Sequence, residues 1–186
     1  ATLPASAAPA TVHLGAVSSL ASSGGSGSGA ISWSLSSGAA YCTLAGSTVT
    51  ATGVGACVMQ ATRAADAHFN AATATTTVTV ANTLPSISAP PTAFTLEDLA
   101  SAPIAITLAD TETSAAALQL TATSSNQALL SDAALAAGWA GSGANRSLVL
   151  APVPNANGST NVTLTVTDAH GGSSSSAVLV SVTAVN

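Results

Sequence analysis

The side chains able to carry acid–base, metal or redox chemistry are few in this chain: seven carboxylates, three histidines and two cysteines. Six carboxylates, Glu97, Asp98, Asp110, Glu112, Asp132 and Asp168, lie in the second half, and Asp66 stands alone in the first. Such oxygen donors suit Ca²⁺, which takes roughly six to eight of them, mostly carboxylates and carbonyls. Asp110 and Glu112 share a face if extended, and in a loop both can turn to one ion. The histidines, His13, His68 and His170, are scattered without the His-x-His or His-x-x-x-His spacing of a zinc site. Asp168 and His170 with a serine would compose a triad on paper. Serine is so abundant that such pairings arise by chance, and no Gly-x-Ser-x-Gly elbow is present, so the chain reads as no enzyme. Gly24 to Gly29 (GGSGSG) lacks the lysine and following helix of a phosphate loop and reads as a turn. Cys42 and Cys57 flank a hairpin around Ala45 to Gly55 and can face each other across strands. Taken alone they fit either free buried thiols or a disulfide.

Composition narrows the classes further. Only 5% of the residues are charged, against about 25% in ordinary soluble domains. There is no lysine, which excludes an isopeptide crosslink, and Arg63 and Arg146 are the only permanent cations. Nucleic-acid binding needs Lys/Arg clusters to release phosphate counterions, so that class is excluded too. Weak electrostatic self-repulsion favours close association with neighbours. Hydrophobic residues make up 47% and aromatics 3%, so the core must be built from small aliphatic side chains, which suits two sheets packed about 10 Å apart. Apolar runs such as Ala177 to Val180 are too short to span a bilayer, and no basic n-region with an apolar stretch opens the chain. A mature, soluble, extracellular segment is expected, with any anchor outside it.

The elements that must position these residues are strands. Period-two alternation marks Thr75 to Val80, Asn161 to Val166 and Ala177 to Val182. Further strands are expected at Thr11 to Gly15, Ala30 to Leu35, Ser47 to Thr52, Ala56 to Thr62, Pro103 to Leu108, Leu118 to Ala122 and Ser147 to Leu150. One short helix is expected near Ser131 to Gly138, capped by Ser131. Thr2-Leu3-Pro4 opens one run of strands and Thr83-Leu84-Pro85 the next. The runs close on Val/Thr strands reaching Asn82 and Asn186. These repeats divide the chain into modules 1–82 and 83–186, expected to be flanked by equivalent modules.

Tyr41 to Cys57 (YCTLAGSTVTATGVGAC) and Met59 to Asn70 (MQATRAADAHFN) resemble the bacterial Ig-like repeats of large surface proteins. Asn82-x-x-Pro85, Thr95-Leu-Glu-Asp98, Asp110-Thr-Glu112, Ala122 to Gln127, Gly141 to Asn145 and Val166 to Gly172 resemble cadherin-like repeats of bacterial adhesins. The resemblances imply an all-β chain of two Ig-like/cadherin-like Greek-key β-sandwich domains in tandem, outside the cell, sometimes stiffened by calcium. The first, with the extracellular type of composition, also implies a Cys42–Cys57 disulfide, which would stabilise by about 3 kcal/mol.

In a sandwich of this topology, Asp110, Glu112, Asp168 and the backbone near Asn82 would converge at the junction between modules. Glu97 and Asp98 would lie toward the opposite end, near Asn186, as a second junction. The sequence departs here from the Asp-x-Asn-Asp-Asn cadherin linker: Ala81 to Pro85 carries no carboxylate. The charge count therefore favours solvated loop and capping carboxylates, requires no cofactor, and leaves Ca²⁺ as a weak ligand at about 10⁻⁴–10⁻³ M. Trp33 shares a face with Ile31 and Leu35 and is expected in the core; Trp139 is expected on a loop, packed beneath it. Asn145-Arg-Ser147, Asn157-Gly-Ser159 and Asn161-Val-Thr163 are short sequons that a bacterial source would leave silent.

The leading expectation is a stalk or spacer of a large secreted or cell-surface adhesin, partnered by neighbouring modules or a cell-surface or matrix ligand. The alternatives are a subunit of a self-assembling filament, sheath or surface layer with identical subunits as partners, and a carbohydrate- or protein-binding module using Trp139, Tyr41 or Phe69.

Overall fold

The structure, a computed structural model, describes residues 2–185. It separates into two compact units, Ala1–Asn82 and Thr83–Asn186. In the first, the strands are β1 (Ser6–Ala8), β2 (Thr11–Val12), β3 (Val17–Ala21), β4 (Ile31–Ser37), β5 (Cys42–Ala45), β6 (Thr48–Ala51), β7 (Gly55–Arg63) and β8 (Ala72–Val80). They form two sheets, β1-β3-β6-β5 and β2-β8-β7-β4. β2 runs parallel to β8, with Thr11 opposite Thr79, and the other pairs are antiparallel.

Alternation decides which faces meet. In β7, Cys57, Met59 and Ala61 are fully buried; in β8, Val78 and Val80 point inward while Thr73, Thr75, Thr77 and Thr79 are exposed. Cys57, Met59, Val78 and Val80 form one core with Val12, Leu20, Cys42, Val49 and Ala51, drawn from both sheets. β3 begins with the apolar residue outward and the polar one inward: Val17 is 53% exposed and Ser18 is buried. Ser18 Oγ donates to Pro9 O at 2.7 Å, which removes the cost of burying a hydroxyl.

The second unit repeats the topology: β9 (Ser86–Ser88), β10 (Thr92–Leu96), β11 (Ile104–Ala109), β12 (Gln119–Ser124), β13 (Trp139–Ser142), β14 (Asn145–Leu148), β15 (Gly158–Thr167) and β16 (Ser173–Thr183). The sheets are β13-β14-β11-β9 and β10-β16-β15-β12, and the parallel pair is β10 with β16. Between β12 and β13 lies α1 (Asp132–Ala137): Ser131 caps it by accepting from Ala134 N at 3.2 Å, and its Leu135 is fully buried in the core.

The long alternating strands and the capped helix lie where the pattern put them, within a few residues. The strand expected at Thr11 to Gly15 ends at Val12, and the one expected at Ser147 to Leu150 runs instead over Asn145–Leu148. β1, β3, β5, β9, β10 and β13 lie outside the expected set. They are only three to five residues long, too short for alternation to register. Trp139, expected on a loop, is the first residue of β13, opposite Leu148. Asn186, expected to close the last strand, lies outside the described residues.

Met59, wholly buried between the sheets, is the largest side chain in the first core. Met59→Ala is expected to lower unfolding free energy by about 2–5 kcal/mol in urea titration. Thr75→Ala, on the outer face of β8, should change it by less than about 0.5 kcal/mol.

Candidate functional site

The first constellation is the cysteine pair. Cys42 and Cys57 form a disulfide with Cα atoms 6.2 Å apart. They do not flank a single hairpin. The β5–β6 hairpin turns at Gly46-Ser47, and the chain then crosses to the opposite sheet, so the bond joins β5 to β7 through the core. At the corresponding place in the second unit, the first residue of its fifth strand along the chain, Trp139 packs against the core from β13. One unit is stapled covalently there; the other is filled by an indole.

The second constellation holds the Gly/Ser loop of the first unit. Arg63 donates through one terminal nitrogen to Gly27 O (2.9 Å) and Gly29 O (3.1 Å), and through the other to Gly24 O (2.6 Å). Asp66 Oδ2 accepts from Ser28 N and from Ser28 Oγ (3.1 Å), while Oδ1 accepts from His68 N and Phe69 N, both at 2.9 Å. A Cβ at Gly29 would lie 1.9 Å from Ala64 O, so only glycine permits this approach. The backbone donors of His68 and Ser28 lead in pulling the Asp66 carboxyl down to about 2. Thus the Arg-Ala-Ala-Asp segment, set apart in sequence only by resemblance, ties the β7–β8 loop to the β3–β4 loop. Its partners lie more than thirty residues away, beyond any local pattern.

The second unit uses carboxylates the same way. Asp110 Oδ1 accepts from Glu112 N (2.9 Å) and Thr113 N, and Glu112 accepts from Thr83 N (3.3 Å) and Thr83 Oγ1 (2.9 Å). Thr113 is buried and its hydroxyl accepts from Ala169 N at 3.2 Å, joining the β11–β12 loop to the β15–β16 loop. Asp168, also buried, accepts from His170 N (2.8 Å) and Gly172 N (2.9 Å). Asp110, Glu112 and Asp168 therefore stand on two loops bonded to each other. Asn82 is counted with the first unit. Among the described residues, no group of three or more His, Cys, Asp or Glu side chains could hold a metal ion.

Glu97 and Asp98 serve the end where β16 finishes. Glu97 accepts from Val185 N (2.8 Å) and Asn157 Nδ2 (3.2 Å); Asp98, itself at φ 61°, accepts from Asn155 N (2.7 Å). Asp132 accepts from Gln127 Nε2 (2.7 Å) and Ser124 N (2.8 Å), which hold its carboxyl below the usual range. An internal repeat escaped the sequence reading: Asp66-Ala-His68 and Asp168-Ala-His170 occupy the same loop in each unit. In both, the aspartate accepts from the histidine amide two residues on. Two matching tripeptides were the available signal.

The aromatic side chains do not gather. Trp33 packs against the core on one side, but it is half-buried, not enclosed as expected. With Leu20, Ile31 and Leu44 it lines an open cavity of about 700 Å³. Tyr41 covers Gly55, whose Cβ would lie 2.5 Å from the ring, and Phe69 sits on the clamped β7–β8 loop.

Residues 82–181 match a family described as the bacterial Ig domain. No curated protein matches the chain. Among solved structures it is similar to domains 4 and 5 of the S-layer protein SbsC, with 15% identity over 98% of this chain and 100% of that one, at TM-score 0.40. It is similar to fibronectin(III)-like modules of Clostridium thermocellum CbhA, with 11% identity over 97% and 95% of the chains, at TM-score 0.34. It is also similar to Drosophila N-cadherin EC1-4, with 11% identity over 97% and 51%, at TM-score 0.40.

The Asp66 clamp sets a pH dependence. Its folded value, about 2, lies below the unfolded value of about 3.9, so its stabilisation is complete above pH about 4 and lost as pH falls toward 2. Protection of the Ser28, His68 and Phe69 amides, measured as exchange relative to the intrinsic rate at each pH, should fall across that window. Asp66→Asn should remove the pH dependence; an unaltered profile in that variant would show that the carboxylate is not its source.

Proposed function

The chain belongs to the bacterial Ig-domain family, and from that membership we propose that it is a non-catalytic spacer of a secreted or cell-surface protein, carrying tension and distance. Such domains are generally non-enzymatic extracellular or surface modules of structural or adhesive type. No described helix is long and apolar enough to cross a membrane.

The observation that carries the reading is how the second and last strands of each unit are tied. In each unit a short early strand runs parallel to the final one, β2 with β8 and β10 with β16. Tension applied at the two ends of a parallel pair pulls the strands past each other and loads the ladder bonds together in shear. The second unit has five such register pairs, from Thr92 opposite Leu179 to Leu96 opposite Thr183. The first has two, and adds the disulfide between its sheets. The charged groups support the same reading. All seven carboxylates and both arginines hydrogen-bond main-chain groups of loops or strand ends, which suits a scaffold more than a reactive centre. Calcium has no part in this proposal.

Stretching single molecules tests it. The first unit should extend short of its full contour by roughly 50 Å, since the disulfide closes a sequence separation of 15 residues. Reduction should restore that length, and both units should rupture as discrete force peaks. Smooth extension without peaks would defeat the spacer reading.

One observation favours a second reading, a self-assembling subunit. β10 is an edge strand without charge. Its outward Phe94 is 71% exposed, beside Leu96 and Leu179, in a chain with only two phenylalanines. Unpaired strand edges with exposed apolar faces are templates for chain-to-chain pairing. On this reading the protein forms ordered polymers under negative-stain imaging and Phe94→Ser abolishes them. A concentration-independent monomer in light scattering would eliminate it.

A further inference from the structure

Asn157 is the only asparagine of the chain followed by glycine. Asn157 and Gly158 are both exposed, and a Cβ built on Gly158 would meet nothing within 4 Å. Gly158 is also the first residue of β15, so the Asn157–Gly158 peptide lies at the end of a ladder, where fraying admits solvent. Glycine leaves the following backbone nitrogen unhindered and its torsions free.

We propose that Asn157 is a site of spontaneous intramolecular deamidation that loosens the end of β16. Base-assisted loss of the Gly158 amide proton lets that nitrogen attack Asn157 Cγ. A C–N bond forms, the bond from Cγ to Nδ2 breaks, and the side-chain nitrogen leaves as ammonia with the transferred proton. The resulting five-membered succinimide is opened by water at either carbonyl, giving aspartate or isoaspartate at position 157. No oxidant or reductant is involved; water is the only co-reactant.

The consequence follows from where Asn157 points. Its Nδ2 donates to Glu97 Oε2 at 3.2 Å, and the other oxygen of that carboxylate accepts from Val185 N at 2.8 Å, just past β16. Deamidation turns the donor into a carboxylate. An attractive contact becomes one between like charges, with no cation among the residues bonded to Glu97, since its partners are Asn157 and a backbone amide. Asp98, adjacent in sequence and bonded to Asn155 N, adds a third negative charge to the same turn. Glu97 is pushed off, and Val185 loses its acceptor. The module end thus carries a slow, irreversible clock that acts where the last strand leaves the sandwich.

The full chain aged in mildly alkaline buffer and mapped by peptide mass spectrometry tests the first step. The amide-to-acid mass gain should accumulate at Asn157 ahead of every other asparagine, faster at higher pH, and be absent in Asn157→Gln. Equal or slower gain at Asn157 than at Asn145 or Asn155 overturns the proposal. Asn157→Asp, which folds without the ageing step, tests the second. Amide exchange at Val185 should quicken several-fold relative to wild type, while exchange in the β15–β16 ladder at Val166 stays unchanged. Unchanged exchange at Val185 sinks the coupling to β16.

Discussion

The structure depends on one interaction made many times: an isolated charged side chain hydrogen-bonded to the backbone of a loop. With 5% charged residues, these chains of Ala, Ser and Thr have little else that fixes a loop in place. A carboxylate accepting two or more backbone N–H groups satisfies donors that a turn leaves open, and such charge-assisted bonds are stronger than neutral ones. The loops then decide where strands end and which sheet the chain enters next. Arg63 and Asp66 show the extreme case, where the single cation and single carboxylate of the first unit together immobilise a glycine-rich connection. Asp110, Thr113 and Asp168 make the equivalent join in the second.

The interior solves a different problem. Cores poor in aromatics have few large side chains to bridge two sheets, and each unit closes the gap between its sheets in its own way. The first places a covalent bond from β5 to β7 beside Met59. The second inserts Leu135 from a capped helical turn and packs Trp139 from the edge strand β13. One topology therefore tolerates unlike cores, because the ladder bonds specify the strand order and only the volume between sheets must be filled.

The outer faces complete the balance. Along β8 the outward positions are threonines, Thr73, Thr75, Thr77 and Thr79, and along β15 they are polar, with Ser159, Asn161 and Thr163. Hydroxyls keep such faces wetted without charge, and β-branching suits the extended backbone. β10 departs from this rule with Phe94 and Leu96, the first of them 71% exposed.

The sequence by itself determined the all-β class, the long strands and the helix. Each rests on information local to a few residues: a Val or Leu at alternate positions in β8, β15 and β16, and a serine cap three residues before the amide it accepts from. It also determined, through resemblance, that Cys42 pairs with Cys57. Only the tertiary structure decided that this bond crosses between sheets, that Ser18 is buried while Val17 is not, and that Trp139 lies on a strand. It alone decided which groups the carboxylates hold, since Asp66 meets Ser28 and Glu97 meets Val185 across 38 and 88 residues. No periodicity reports a hydrogen bond of that span. The partner is set by where folding brings two loops, and that depends on the packing of the whole sandwich.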